Sequence, residues 1–153
     1  MRIEYINPFV ESAIEVLKKV VTQDVKRGEL SLRNSVSSML GLALIVGITG
    51  QVTGRVVIDM PQDLGLQIAS IMNEEELKDF NDLTNATLTE LANIIVGKAI
   101  TNLHRLGYKF DLTPPTLFMG DNLRLSDNKI EALIVPLELL NNKIEINVAL
   151  KEV

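Results

Sequence analysis

Apolar residues recur at helical spacing in three segments of the chain. The first, residues 7–21, opens with Asn-Pro, a good N-cap followed by a residue that suits the first helical position. The second follows Pro61 and continues to about residue 71. The third covers residues 82–106 and is followed by Gly107, a typical C-terminal stop. The pattern therefore predicts three helices, of which the last is long. Asn73, with Glu76 three residues later, is a candidate capping box that leads either into a short helix or directly into the long one.

Most of the remaining segments read as strands. Thr49-Gly50-Gln51 predicts a hairpin turn between the apolar run 39–48 and a strand at 52–60. Further strand-like segments are 29–37, 108–112, 116–119, 130–137 and 143–150. This order predicts an α+β fold, with helices packed on a largely antiparallel sheet, in a single domain covering residues 1–153. Each half opens with a helix and continues into strands, so a duplicated half-domain is left open.

The long helix has two contrasting faces when its residues are placed at about 100° each. One face is a continuous apolar stripe, formed by Leu88, Leu91, Ala92, Ile95, Ala99 and Leu103. The opposite face carries Glu90, Asn93, Gly97, Thr101 and His104, with Ile94 at its edge. Asparagine and glycine are poor residues for a helix interior. The polar face is therefore either an ordinary solvated surface or a surface that receives another protein.

Composition and charge remove several classes of function. The net charge of −5 without a basic cluster argues against a nucleic-acid partner. The absence of cysteine excludes disulfides, thiolate zinc sites and cysteine nucleophiles. The chain has a single histidine, which is too few nitrogen ligands for a typical metal site, so no metal or cofactor is expected on this chain. The longest apolar run has ten residues, from 39 to 48, too short to span a bilayer. A cytoplasmic protein without a membrane partner is the expectation.

Three stretches carry a resemblance to a known family. "TELANIIVGK" at 89–98 resembles the signature helix of the CheC/CheX/FliY phosphatases of bacterial chemotaxis, in which Glu and Asn stand three residues apart and a Gly follows. "VGITGQVTGRVVIDM" at 46–60 resembles the central hairpin of that family, and "FDLTPPTLFMG" at 110–120 resembles its Thr-Pro-Pro segment. The features occur in the family's order, are spread over much of the chain and are most similar to CheX.

The resemblance implies a function and a site. Members of the family hydrolyse the aspartyl phosphate of the response regulator CheY, so Glu90 and Asn93 are the expected catalytic residues. Asn93 would orient the attacking water, and Glu90 would pair with a lysine of the regulator. Ile94 and Gly97 would border the contact with the partner. The regulator supplies its own Mg²⁺.

The first helix reads "VESAIEV", with Ile14 where a second active site would need asparagine, so a single site is expected. His104 lies eleven residues from Asn93, roughly 16 Å along the helix, and is expected to be a plain surface residue. Lys98 is either a surface lysine or a partner contact.

CheX-like relatives pair as dimers, and we expect a homodimer in which the strand at 144–150 lies at or near a sheet edge. The alternative function is a non-catalytic adaptor that binds a regulator or a CheD-like deamidase.

Overall fold

The computed structural model describes residues 3–33, 36–126 and 131–153, with backbone alone at 36–38. Three helices lie within these ranges: α1 (Ile3–Val21), α2 (Gln62–Asn73) and α3 (Asp82–Arg105). The described strands are β1 (Lys26–Arg27), β2 (Ser31–Arg33), β3 (Val36–Ser38), β4 (Leu42–Gly50), β5 (Val52–Met60), β6 (Phe110–Leu112), β7 (Thr116–Met119), β8 (Arg124–Ser126), β9 (Ala132–Leu139) and β10 (Asn142–Glu152). The α+β fold predicted from the sequence is confirmed.

An antiparallel sheet forms the centre of the fold. Its strand order is β1-β9-β10-β5-β4-β6, with β2 also paired to β9 and β7 also paired to β4. Strands β3 and β8 pair separately. The three helices cover one face: α1 packs on β9 and β10, and α3 packs on β4 and β6. Alternate apolar side chains of the central strands meet the helices in one core, which agrees with the period of two expected of strands. α3 is thereby held between the sheet, at β4, β6 and β7, and the other two helices.

The two halves of the chain contain the same order of elements. In each half a helix is followed by an interrupted edge strand, a short strand of the separate pair, and a hairpin. The edge strands pair with the hairpin of the other half: β1 and β2 with β9, and β6 and β7 with β4. The order is compatible with a duplicated half-domain, which stays a prediction.

Helix α1 begins earlier than its sequence predicts. It starts at Ile3 and not at Asn7, so Pro8 lies inside the helix. A proline at this position removes a backbone hydrogen bond. The turn before it persists because Tyr5 and Ile6 are buried, and the Tyr5 ring packs edge-on against the rings of Tyr108 and Phe110. Tertiary packing has overridden the local start signal.

The predicted capping box at Asn73 is wrong. Asn73 is the last residue of α2, and its side-chain amide donates to the carbonyl of Ala69 and the hydroxyl of Thr87. The N-cap of α3 is Asn81, whose Oδ1 accepts from the backbone N–H of Thr84 at 2.9 Å. The sequence does not distinguish Asn73 from Asn81, because asparagine is a preferred N-cap residue and both precede the long helix.

Other strand predictions need correction as well. The segment predicted as one strand at 29–37 contains β2 and β3, with residues 34 and 35 outside the described ranges. Strands β1 and β8 were missed, because two or three residues are too few to show a period. Strand β10 lies between β9 and β5 and is the third strand in the order, so 144–150 does not lie at an edge, one of the two places that the sequence prediction allowed. Its side chains are buried from Ile144 to Leu150, as expected of a strand that is covered on both faces.

The Thr-Pro-Pro segment interrupts the edge strand beside β4. Thr113 Oγ1 accepts a hydrogen bond from the N–H of Gly47 at 2.8 Å, and its own N–H donates to the carbonyl of Gly47. A Cβ at Gly47 would lie 2.9 Å from the Thr113 methyl, so a larger residue there would displace Thr113. Pro114 and Pro115 lack N–H donors, a common protection of sheet edges. The segment fixes the edge that neighbours α3.

The face of the sheet away from the helices buries two carboxylates. Asp59 and Glu145 are opposite each other on β5 and β10 and are 3% and 5% exposed. Asp59 Oδ1 accepts from the N–H of Leu40 at 3.0 Å, and Glu145 Oε2 lies 3.2 Å from Arg33 Nη2. Burial, with a smaller contribution from Glu145, raises the pKa of Asp59 to about 6, against the lowering effects of the Leu40 N–H, Arg33 and Lys143. The ionised Asp59 therefore costs folding free energy at neutral pH.

We expect Asp59→Asn to stabilise the protein at pH 8. The pKa of Asp59 is raised from 3.8 to about 6 by folding, so the folded protein favours the protonated carboxyl. The stability that protonation supplies is therefore fully present below about pH 4 and is lost as the pH rises through 6. Asparagine cannot ionise, and its Oδ1 can still accept from Leu40. The free energy of unfolding in urea should increase by about 1–3 kcal/mol at pH 8, and the gain should vanish near pH 4. The exposed Asp121→Asn is the control, and a lower stability of Asp59→Asn at pH 8 would contradict this account.

Candidate active site on helix α3

Helix α3 presents the two faces that its sequence predicts. The six residues of the apolar stripe are all buried, as are Val96 and Ile100. Glu90, Asn93 and Ile94 are exposed on the opposite face, and the Ile94 side chain is 42% exposed. The site is thus carried by a helix whose other side is fully packed, which limits movement of the exposed residues.

Glu90 and Asn93 lie one turn apart, about 4.5 Å along the helix axis. Within the described parts of the chain, neither side chain makes a hydrogen bond or an ion pair. By contrast, the hydroxyls of Thr87, Thr89 and Thr101 on the same helix are all bonded to α3 carbonyls. The carboxylate and the carboxamide are therefore both free to contact a molecule that approaches the helix.

Gly97 lies one turn beyond Asn93 on the same face of α3. Glu90, Asn93, Ile94 and Gly97 together form the strip of the candidate site. A Cβ built at Gly97 would meet no atom within 4 Å, and the backbone there is ordinary helix and not the left-handed conformation found at Gly107. The fold therefore does not require glycine here. Glycine in a helix interior costs about 1 kcal/mol relative to alanine. A partner that approaches the backbone closely would explain why this cost is accepted.

The other polar residues near the strip have separate contacts. Lys98 Nζ lies 2.5 Å from Glu15 Oε1 on α1, and this hydrogen bond and the lysine charge lower the pKa of Glu15. His104 Nε2 lies 3.0 Å from the carbonyl oxygen of Phe110. His104 is thus an exposed residue with a backbone partner, outside the Glu90–Asn93 site.

A second site of the same kind is absent from the described part of α1. Glu11 is exposed there, but Ile14 is half-buried and packs against the core. An aliphatic side chain offers neither a donor nor an acceptor. Among the described residues no three His, Cys, Asp or Glu side chains group as metal ligands, and no helix combines the length and apolarity needed to cross a membrane.

Sequence reasoning missed the contacts that hold α3 in place. On α1, Ser12 bonds to Ile95 of α3 and Glu15 pairs with Lys98 of α3. Ser12 and Ile95 are 83 residues apart in the sequence. Helical periodicity identifies which face of a helix is buried but not which helix covers it. No signal in a single sequence pairs these residues.

The arrangement of helices on one face of an antiparallel sheet is that of the CheC-like superfamily. A CheC-like superfamily protein from Shewanella sp. PV-4 superposes with a TM-score of 0.88, at 25% identity and with 99% of each chain covered. The chain belongs to the CheX family of chemotaxis phosphatases, whose family model, "Chemotaxis phosphatase CheX", matches residues 42–138.

Two members of the family are similar over most of their length. The CheX of Borrelia burgdorferi, solved in a CheX–CheY–BeF₃–Mg²⁺ complex, is 40% identical, with a TM-score of 0.85 and coverage of 99% of this chain and 100% of that one. The CheY-P phosphatase CheX of Thermotoga maritima is 27% identical over 121 residues, which are 78% of each chain. The family predicted from the three motifs is confirmed.

Proposed function

We propose that this protein is a phosphatase that hydrolyses the aspartyl phosphate of a CheY-like response regulator, with Glu90 and Asn93 of α3 as its site. The observation that carries the proposal is the exposed Glu90–Asn93 pair, which has no partner among the described residues, in a chain of the CheX family. Two relatives support the choice of partner: one is a CheY-P phosphatase, and the other forms a complex with CheY.

Asn93 supplies the catalytic group. An aspartyl phosphate is already a reactive acyl phosphate, so the remaining requirement is a water molecule in line with the phosphorus. A carboxamide can hold that water because its oxygen accepts one hydrogen bond while its nitrogen donates another. The glutamine of GTPases that orients an attacking water is a mechanical parallel. The chemistry needs no general base on this chain, and the Mg²⁺ belongs to the regulator.

Glu90 and its neighbours dock the regulator. The carboxylate of Glu90, one turn before Asn93, pairs with a lysine of the regulator and so sets the depth and direction of the amide. Ile94 gives the strip an apolar rim, and Gly97 leaves the helix backbone uncovered. This division assigns alignment to Glu90 and water placement to Asn93.

The test is phosphate release from phosphorylated CheY-like regulators, measured with and without the protein. A phosphatase shortens the lifetime of the phosphorylated regulator, whereas the alternative adaptor, which binds a regulator or a CheD-like deamidase, leaves it unchanged. Chelation of Mg²⁺ should abolish the effect. The protein's assembly as a homodimer stays a prediction, now without the edge-strand support that the sequence suggested.

Gly97→Leu tests whether the glycine is required for binding of the regulator and not for folding. Because a Cβ at this position has open space around it, the variant should fold and gain up to about 1 kcal/mol in stability. The added isobutyl group would obstruct a close partner, so affinity for a beryllofluoride-loaded regulator, measured by titration calorimetry, should fall at least about tenfold.

Gly97→Ala is the matched control, with the same gain in helix propensity and only one added methyl group. It should bind more tightly than the leucine variant. Wild-type affinity for Gly97→Leu would show that the regulator does not approach this part of α3.

A further inference from the structure

The hydroxyl of Ser12 is a buried polar group in the packing between α1 and α3. The residue is 1% exposed, and its Oγ donates to the backbone carbonyl of Ile95 at 2.6 Å. A buried hydroxyl needs a partner to offset its lost hydration. Alanine would fill most of the same space without that requirement and has the higher helix propensity.

The direction of this hydrogen bond is unusual among the helical hydroxyls of the protein. Four of the other five serine and threonine hydroxyls on the described helices bond to the carbonyl four residues earlier in their own helix, the common behaviour of these residues. These four are Ser70, Thr87, Thr89 and Thr101. The fifth, Thr84, bonds to Asp79 and Asn81 just before α3. For Ser12 the equivalent acceptor would be the carbonyl of Pro8, yet the hydroxyl crosses to α3. The hydrogen bond of Ser12 therefore links two helices, whereas a bond to Pro8 would only have given the hydroxyl a partner within α1.

The acceptor lies next to the proposed site. Ile95 is two residues beyond Asn93, and its carbonyl belongs to the same stretch of backbone that carries the amide side chain. One turn further along both helices, Glu15 pairs with Lys98 on the surface. The exposed ion pair contributes little because solvent screens it. The buried, short hydrogen bond of Ser12 is the stronger restraint on sliding and rotation of α3.

We infer that Ser12 is a positioning residue for Asn93: its hydrogen bond to Ile95 sets the axial position of α3 and thereby the depth to which the amide enters a bound regulator. The inference rests on the proposed function. A displacement of about 1 Å can cost a hundredfold in rate when a reaction depends on placement of one water. Side chains that support a catalytic group from behind are needed to hold such geometry.

The test measures kcat and regulator affinity separately for Ser12→Ala and Ser12→Cys. Cysteine keeps the shape of the side chain with a somewhat larger γ atom and is a weak donor, so it remains informative if alanine unfolds the protein. We expect kcat for regulator dephosphorylation to fall between about threefold and tenfold, while Kd for the beryllofluoride-loaded regulator changes less than about twofold. Ile134→Val, a core truncation on the opposite face of the sheet, controls for lost stability and should leave kcat unchanged.

The outcomes separate this inference from the proposed function. Wild-type kcat in folded Ser12→Ala and Ser12→Cys, with Asn93→Ala impaired, would overturn the positioning role alone. Equal losses of kcat in Ile134→Val would also overturn it, because the effect would then follow stability. Wild-type activity of Asn93→Ala would instead overturn the proposed function.

Discussion

Replacing Asn93 by alanine is expected to lower regulator dephosphorylation about a hundredfold while leaving the fold and most of the regulator affinity intact. One well-placed polar group that acts on the transition state is worth on the order of 3 kcal/mol, which corresponds to that factor. The fold should survive because Asn93 is exposed and its side chain, within the described residues, bonds to no other side chain or backbone group. Alanine also has the higher helix propensity.

The measurement is single-turnover decay of a phosphorylated regulator, together with titration of a beryllofluoride-loaded regulator. Thr101→Ala, two turns further along the same exposed face, is the matched control and should retain most of the activity. If Asn93→Ala dephosphorylated the regulator at the wild-type rate, the water-positioning mechanism would be wrong.

Glu90→Lys is expected to abolish regulator binding. If Glu90 faces a lysine of the regulator, the substitution sets two positive charges against each other, which costs several kcal/mol and corresponds to a loss of affinity greater than about a hundredfold. Added salt should recover little of this loss, because charges within a docked interface are poorly screened. The contrast with Asn93→Ala, which keeps binding and loses turnover, distinguishes docking from water placement.

Glu11→Lys on α1 provides the matched control for this charge reversal. Glu11 is exposed, and the substitution changes the net charge by the same amount, but it lies on the helix without the asparagine. Its regulator affinity should remain close to wild type. Normal binding by Glu90→Lys combined with failed binding by Asn93→Ala would reverse the two assigned roles.

The sequence correctly predicted the helices and turns whose conformation depends on their own residues. The two faces of α3 follow from its period, since every residue of the predicted stripe is buried and Glu90, Asn93 and Ile94 are exposed. The turn between β4 and β5 follows from its glycine, because Gly50 has a φ of 113°, which side chains with a Cβ rarely adopt. The exposed pair of the candidate site was predicted for the same reason.

Features that depend on distant residues were not predictable in this way. The early start of α1 depends on ring contacts between Tyr5 and residues more than a hundred positions away, Tyr108 and Phe110. The interior place of β10 depends on which strands flank it, and an alternating strand looks similar at an edge and in the middle. The hydrogen bond from Ser12 and the burial of Asp59 beside Glu145 likewise arise only when separate elements come together.

Multiple turnover is the most direct test of the central claim that α3 catalyses aspartyl-phosphate hydrolysis. A phosphorylated CheY-like regulator would be mixed with about one-twentieth of its concentration of this protein in the presence of Mg²⁺, and inorganic phosphate would be followed with time. We predict complete dephosphorylation at a rate proportional to the protein concentration and well above the regulator's own rate, with Asn93→Ala close to the background. An unchanged lifetime of the phosphorylated regulator, despite measurable binding, would contradict the account and identify the protein as an adaptor.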